Sequence, residues 1–239
     1  SSLAQVWLEP SSRGIVEAPP PAVARMALST ASVPMLPLLG GKGIPALGYG
    51  VGTAWFKSTG AEQEASLGDS VTAALDAGFR HIDEAEMYVN EAVTGRAIAA
   101  WLARTGTPRS GLFVTSKVMS VDELGVEATC RQSLARMGVG YFDLYLIHAP
   151  CNRTGEPFKR PLAEIWKDME ALVDAGLVHA IGVSNWRVRD LEEIFGGARI
   201  KPVCNQVEAH PYLQQSRLLR WCQEHGMLVT AYCPLGSIV

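Results

Sequence analysis

The chain has 239 residues, of which 48% are hydrophobic and 19% charged, and its formal net charge at pH 7 is −3. This composition is typical of a folded globular protein, and the charge gives no reason to expect nucleic acid or an acidic membrane surface as a partner. No apolar run approaches the roughly 18 residues of a membrane-spanning helix, so no membrane partner is expected. Five scattered cysteines without a CxxC motif predict free thiols in a reducing compartment, and we expect a cytoplasmic protein.

The N-terminal part of the chain differs from the rest. Residues 1–38 contain six prolines together with many Ser and Ala residues, and they show no hydrophobic period. We therefore predict a mostly irregular N-terminal extension over residues 1–38 and a single folded domain over residues 39–239.

From about residue 44 onward, helical patterns that end in glycine alternate with short apolar runs. Glycine is favoured just after a helix because it adopts the left-handed conformation without a Cβ clash, and short continuous apolar runs are typical of parallel strands covered on both faces. The pattern predicts sequential βα units with right-handed connections. The predicted strands lie near residues 48–54, 79–83, 112–117, 142–147, 178–183, 203–207 and 227–232. The predicted helices lie near residues 67–77, 91–104, 122–137, 161–175, 187–196 and 214–225.

One helix start carries a second signal. Ser120 and Glu123 have the spacing of a capping box, in which the two side chains bond to each other's backbone N–H groups. The spacing predicts that the third helix begins there.

Two α/β architectures are compatible with this order of elements. An open doubly wound sheet binds a dinucleotide through G-x-G-x-x-G after its first strand, but Gly48, Gly50 and Gly52 do not have that spacing, and no Walker A sequence occurs. The (β/α)8 TIM barrel instead builds its active site at the C-terminal ends of its strands. With seven predicted strands, we expect a barrel that lacks the eighth βα unit. Its first and seventh strands would present unpaired edges, and we expect low stability.

Polar residues stand at the ends of six successive predicted strands. In chain order they are Asp83 with Tyr88 in the following loop, Lys117, His148, Ser184 with Asn185, Asn205 with Gln206, and Tyr232. Solubility alone would place polar residues at both ends of the strands and on the helices. The pattern therefore favours a functional site at one end of the sheet.

The motifs around these residues, in their order along the chain, resemble those of the aldo-keto reductase family. HIDEAEMYVNE (residues 81–91) resembles the family signature, and GVSNW, NQVEAHPYL and AYCPLGS resemble its later motifs. The resemblance covers about residues 40–239 and implies reduction of an aldehyde or ketone to an alcohol by hydride transfer from NADPH. The segments GTAWFKS and DEAEMY are similar to fungal reductases of ketones and polyketones.

The resemblance implies a role for each strand-end residue. Tyr88 is the expected general acid, and Lys117, held by Asp83, is expected to lower the pKa of its phenol, because a nearby ammonium favours the phenolate. His148 is expected to hydrogen-bond and orient the substrate carbonyl. The expected cofactor contacts are Ser184, Asn185, Gln206, Tyr232, Leu235 and Ser237. Trp55 is expected to line the substrate pocket, and no metal site is expected.

A second hypothesis stands beside the enzyme. A catalytically silent protein that resembles aldo-keto reductases would bind the cofactor or a regulatory partner without turnover. The complete set of four catalytic-type residues favours the enzyme, whereas the expected loss of the last unit favours the silent protein. Glu84 and Glu86 are interpreted as surface or loop acids, and His81 is interpreted as pointing away from the barrel interior without a role.

Overall fold

The computed structural model describes residues 33–40, 43–52 and 60–236, all of which belong to the compact unit Ser32–Val239. Two short antiparallel strands come first, β1 (Met35–Pro37) and β2 (Gly43–Pro45). β1 lies within the last residues of the expected irregular extension, whose residues 1–32 are outside the described part of the chain.

Seven parallel strands and six α-helices follow alternately within the described residues. The strands are β3 (Tyr49–Gly50), β4 (His81–Asp83), β5 (Phe113–Val118), β6 (Leu144–Ile147), β7 (Ile181–Ser184), β8 (Cys204–Glu208) and β9 (Leu228–Tyr232). The helices are α1 (Ala61–Asp76), α2 (Glu91–Thr105), α3 (Val126–Met137), α4 (Leu162–Asp174), α5 (Val188–Phe195) and α6 (Ser216–Glu224). Short 3-10 turns lie at Glu86–Tyr88 and Arg109–Gly111.

The strand order identifies the architecture. The sheet runs β3-β4-β5-β6-β7-β8-β9, and every neighbouring pair is parallel. Each new strand is added beside the previous one, as in a (β/α)8 barrel, whereas a doubly wound sheet reverses its order at a switch point. The predicted barrel-type α/β fold and its seven sheet strands are confirmed.

The capping-box prediction is wrong. Helix α3 begins at Val126 after Gly125, whose φ of 86° is a backbone conformation that glycine adopts readily. Ser120 lies in the preceding turn, where its carbonyl accepts from the backbone N–H groups of Leu124 and Gly125. Its hydroxyl bonds to the carboxylate of Glu86, a residue distant in sequence, and this contact replaces the predicted cap.

The two faces of the sheet have different partners. On the outer face, residues such as Val114 of β5 and Ile181 of β7 pack with Leu67 and Trp166 of the surrounding helices in the main hydrophobic cluster. On the inner face, Phe113, Leu144, Leu146, Ala180, Val203 and Cys204 form a second cluster with Leu38 and Ile44. Because these residues lie toward the N-terminal ends of β5 to β8, this cluster fills that end of the interior and leaves the C-terminal ends of the strands for a site.

Close packing between α2 and α3 gives a test of the fold. A Cβ at Gly95 would lie 2.2 Å from the carbonyl oxygen of Met137. We expect Gly95→Ala to lower the free energy of unfolding by about 1–3 kcal/mol, because the backbone of one helix must move. Gly68→Ala in α1 is the matched control, since no atom lies within 4 Å of its Cβ and alanine favours a helix by up to about 1 kcal/mol. Urea denaturation of both variants measures the difference, and a Gly95→Ala variant as stable as Gly68→Ala would contradict this packing.

Candidate active site

A cavity of about 810 Å³ opens at the C-terminal ends of the strands. Seven of the residues selected from the sequence line it, namely Asp83, Tyr88, His148, Ser184, Asn185, Gln206 and Tyr232. It continues along β9 to Leu36 and Ile44 at the opposite end of the interior. The parallel strand order thus brings together residues that are up to 149 positions apart in sequence.

Lys117 lies beneath this cavity with a side chain that is 0% exposed. Its Nζ donates to the carboxylate of Asp83, to the carbonyl of Glu84 at 3.0 Å and to the phenol oxygen of Tyr88 at 3.3 Å. Burial lowers the pKa of Lys117, but the Asp83 carboxylate and the Tyr88 oxygen outweigh burial and raise the pKa above its ordinary value. Lys117 is therefore a buried ammonium with three oxygen partners, the arrangement that a buried charge requires.

Tyr88 ends the 3-10 turn Glu86–Tyr88, and the turn is closed by Val89 in the left-handed conformation at φ 60°. The Lys117 Nζ lies 5.1 Å from the centroid of the Tyr88 ring, and the His148 ring meets it edge to face at 5.7 Å. Burial raises the pKa of Tyr88 above its ordinary value, although Lys117 acts in the opposite direction. The predicted net lowering of this pKa is wrong, because the loss of solvent around the phenolate outweighs the adjacent ammonium.

His148 is a neutral imidazole at physiological pH. Burial, together with the Lys117 ammonium, lowers the pKa of His148 to about 3. The backbone carbonyl of His148 accepts from the Asn185 side chain at 2.9 Å, which fixes the loop after β6. A neutral imidazole has one N–H donor, so it can donate to a carbonyl oxygen without bringing a second cation next to Lys117.

The residues expected around a nicotinamide form a connected set at the ends of β7, β8 and β9. The Ser184 hydroxyl donates to the backbone carbonyl of Gln206 at 2.7 Å, and the Tyr232 hydroxyl donates to the Asn185 side chain at 3.0 Å. The Gln206 amide nitrogen donates to the second carboxylate oxygen of Asp83 at 2.7 Å. Gln206 therefore has a contact that the sequence did not predict, since it helps hold the carboxylate that pairs with Lys117.

The remaining predicted contacts are not brought together in the same way. Leu235 is 84% exposed and does not line the cavity. Trp55 and Ser237 lie outside the described residues.

Three residues near the site were misjudged from the sequence. Glu84 and Glu86, interpreted as surface or loop acids, do follow the end of β4, but they are not surface residues: Glu84 is 0% exposed and the side chain of Glu86 is only 9% exposed. His81 faces the interior, where it hydrogen-bonds to Thr115 at 2.8 Å and lines the cavity. Because successive side chains of a strand alternate between its two faces, His81 and Asp83 must lie on the same face. This alternation could have predicted from the sequence that His81 faces the interior.

The sequence of the chain is similar to those of known proteins. Residues 47–238 match the sequence model described as "Aldo/keto reductase family". The chain is 45% identical over 205 residues to an NAD/NADP-dependent indole-3-acetaldehyde reductase of Schizosaccharomyces pombe, covering 83% of this chain and 68% of that protein. It is 37% identical over 214 residues to prostaglandin F synthase 1 of Bos taurus, covering 81% of this chain and 64% of the relative. The chain thus spans about two thirds of the length of these curated relatives.

Two solved structures resemble the fold. A Bombyx mori aldo-keto reductase in complex with NADP has a TM-score of 0.79 at 33% identity, covering 87% of this chain and 68% of the other. An aldo/keto reductase from Brucella melitensis has a TM-score of 0.73 at 38% identity, covering 85% of this chain and 74% of the other. Among the described residues, no helix is long and apolar enough to cross a membrane. The same residues contain no group of three metal-ligating side chains of the His, Cys, Asp or Glu type.

The buried carboxyl of Glu84 predicts how stability changes with pH. Burial raises its pKa from 4.5 to about 8, so between these values the folded chain holds a proton that the unfolded chain has lost. The free energy of unfolding should therefore fall as pH rises through this window, by at most about 1.4 kcal/mol per pH unit. Glu84→Gln, which is neutral at every pH, should remove that fall.

Urea denaturation at pH 5 and pH 8 measures this effect. The control is Glu127→Gln, because the Glu127 side chain is 60% exposed and the substitution removes a carboxylate on the surface. If wild type and Glu84→Gln lose equal stability over this pH range, the buried neutral carboxyl is ruled out.

Proposed function

The chain belongs to the aldo/keto reductase family, and we propose that it reduces an aldehyde or ketone to an alcohol by hydride transfer from NADPH. The observation that carries this proposal is the buried Lys117 ammonium, which contacts both Asp83 and the phenol of Tyr88 at the floor of a cavity that His148 also lines. A carbonyl reduction requires a hydride for the carbon and a proton for the oxygen. In this proposal these four side chains provide the proton for the oxygen.

Tyr88 is the proton donor in this proposal. Its raised pKa keeps the phenol protonated at neutral pH, and its oxygen accepts from Lys117, so its own hydrogen can be donated to a substrate oxygen in the cavity. Donation leaves a phenolate 3.3 Å from an ammonium, and that charge pair stabilises the product side of the proton transfer. Asp83 holds Lys117 in place, and Gln206 in turn holds Asp83.

His148 orients the substrate in this proposal. Because the imidazole is neutral, it would donate one hydrogen bond to the carbonyl oxygen and would not titrate between pH 5 and 8. The edge-to-face packing of the His148 and Tyr88 rings, both of which line the cavity, supports this arrangement. The carbonyl oxygen would thus lie between a proton donor and an orienting donor.

The cavity fits a nicotinamide. Bound NADPH supplies the hydride, and the groups proposed to hold the carboxamide are Ser184, Asn185 and Gln206, whose side chains all reach the cavity. Gln206 donates its amide nitrogen to Asp83, which leaves its amide oxygen to accept from the carboxamide N–H. The Tyr232 ring, 36% exposed and tethered to Asn185, would stack on the nicotinamide. We also propose Leu235 and Ser237 near the pyrophosphate and Trp55 at the substrate.

The proposed substrate is a small carbonyl compound. A cavity of about 810 Å³ lies within the usual size range for small-molecule sites. Five free cysteines in the described residues support a reducing, cytoplasmic setting.

The role of Tyr88 can be tested by Tyr88→Phe. The substitution keeps the ring and removes the proton donor, so we expect kcat for NADPH-dependent reduction of a model aldehyde to fall by about 100-fold or more. NADPH affinity, followed by tryptophan fluorescence, should stay within about twofold, because Tyr88 donates to the substrate. Tyr212→Phe is the matched control, since Tyr212 is 97% exposed. Unchanged turnover in Tyr88→Phe would remove Tyr88 as the acid, and NADPH binding without turnover in wild type would favour the silent protein.

The position of Tyr88 depends on a glycine beneath its ring. A Cβ at Gly52 would lie 2.4 Å from the Cζ atom of Tyr88, so Gly52→Ala must displace the phenol. We expect kcat to fall by about 10-fold to 100-fold, since displacement of a reacting group by about 1 Å has this effect. Gly50→Ala is the control, because no atom lies within 4 Å of its Cβ although Gly50 lines the same cavity. Equal kcat values for the two variants would contradict the contact between Gly52 and Tyr88.

A further inference from the structure

The turn that carries Tyr88 is held by a carboxylate that the proposed reaction does not use. Glu86 is the first residue of the 3-10 turn that ends at Tyr88, and its side chain is 9% exposed. Its carboxylate turns away from the cavity toward the loops that follow β5 and β6, and Glu86 itself is not among the residues that line the cavity.

Four donors converge on this carboxylate. One oxygen accepts from the backbone N–H groups of Met119 and Ser120 at 3.0 and 3.1 Å. The other accepts from the Ser120 hydroxyl and from the guanidinium of Arg153. Arg153 also donates to the Ser120 hydroxyl at 2.8 Å, so the groups form a closed set, which we call the Glu86 clamp. The two backbone amides, the Ser120 hydroxyl and Arg153 all lower the pKa of Glu86, and together they outweigh its burial.

The Glu86 clamp connects the three chain segments that carry the proposed catalytic groups. Glu86 is two residues before Tyr88, and Met119 is two residues after Lys117. Arg153 is in the loop that follows β6 and His148. The contacts span 33 to 67 positions in sequence, so no local structure could replace them. One carboxylate therefore bonds to the segments that follow the ammonium and the imidazole, and it lies on the turn that carries the phenol.

The local backbone structure of the turn gives it little support of its own. The turn is a single 3-10 turn without a side-chain cap, and it ends at Val89 in a left-handed conformation that a β-branched residue rarely adopts. A three-residue turn of this kind does not hold its own geometry, so tertiary contacts must do so. On the cavity side the Tyr88 oxygen accepts from Lys117 at 3.3 Å, a longer distance than the 2.8–3.1 Å hydrogen bonds of the clamp.

We propose that Glu86 is a positioning residue for the reduction, holding Tyr88 at proton-transfer distance from Lys117 and His148 through its bonds to Met119, Ser120 and Arg153. This inference rests on the proposed function of Tyr88. The clamp acts chiefly by position, because its carboxylate touches neither the cavity nor Lys117, and its charge acts on His148 only through space.

Three substitutions separate position from charge. Glu86→Gln keeps the length of the side chain but replaces one carboxylate oxygen with an amide N–H₂, which cannot accept from the Arg153 guanidinium or from the backbone N–H groups. Glu86→Asp keeps the charge but is one methylene too short to span the three segments. We expect both variants to lower kcat for aldehyde reduction by about 10-fold to 100-fold, with NADPH affinity within about twofold of wild type. Glu127→Gln, which breaks the exposed Glu127–Arg131 pair of α3, is the control and should leave kcat unchanged.

A readout without turnover distinguishes failure of this inference from failure of the proposed function. The ¹³Cζ resonance of Tyr88, identified by its loss in Tyr88→Phe, reports the position and titration of the phenol directly. In Glu86→Gln and Glu86→Asp this resonance should shift and broaden, and its titration should move toward that of an exposed tyrosine. Thermal melting of each variant, compared with Glu127→Gln, shows that the chain is folded.

Each outcome is decisive. Wild-type kcat and an unshifted Tyr88 resonance in both Glu86 variants would overturn the inference, whatever Tyr88→Phe shows. Loss of activity in Glu86→Gln but not in Glu86→Asp would also overturn it, because charge and not position would then be the requirement. If wild type itself does not reduce aldehydes, the proposed function fails, and a shifted Tyr88 resonance would still establish the clamp.

Discussion

The burial of the Lys117 ammonium is the constraint on which the site depends. An ammonium with a side chain that is 0% exposed is stable only if oxygen atoms surround it, and its partners come from the segment Asp83–Tyr88. Removing one partner of such a buried pair commonly costs about 3–5 kcal/mol, so the end of β4, the following turn and the end of β5 are energetically coupled. The same contacts that satisfy the charge also bring a phenol within reach of it. Stability and the proposed chemistry therefore require the same geometry.

The electrostatics around this ammonium follow from burial. Tyr88, His148 and Glu84 all have their pKa values shifted toward the neutral form, chiefly because they are removed from solvent. Asp83 is the charged counterpart, in an ion pair with Lys117 and also bound by Gln206. The floor of the cavity thus holds one ion pair, Lys117 with Asp83, among neutral polar groups. A substrate carbonyl bound there would meet two neutral donors, Tyr88 and His148, and the Lys117 ammonium lies behind Tyr88. Such preorganised dipoles and charges act strongly where water is excluded.

The sheet provides this arrangement through parallel order and alternation. Because every strand points the same way, the polar residues at the strand ends meet at one edge, and the inward residues of β5 place Thr115 and Lys117 on the same face as Asp83 of β4. At the opposite end Leu38 and Ile44 pack on the inner cluster, and the cavity extends along β9 down to this hydrophobic base. The loops after β4 and β6 contribute Tyr88 and His148. The Glu86 clamp shows that side-chain hydrogen bonds, and not regular secondary structure, connect these loops.

The sequence by itself determined the order of βα units, the positions of the helices and strands to within about six residues, and the identity of Asp83, Tyr88, Lys117 and His148 as neighbours at one sheet edge. These follow from local signals, namely glycine after each helix, continuous apolar strands and polar strand ends, together with family motifs that stand in order. The tertiary structure alone decided the partners of Glu86 and Ser120, the bond from Gln206 to Asp83 across 123 positions, and the direction of the net pKa shift of Tyr88. The physical reason is the same in each case. Hydrogen bonds between distant segments, and the burial that shifts a pKa, both depend on which side chains contact each other in the folded chain. Neither hydrophobic periodicity nor local propensity predicts those contacts.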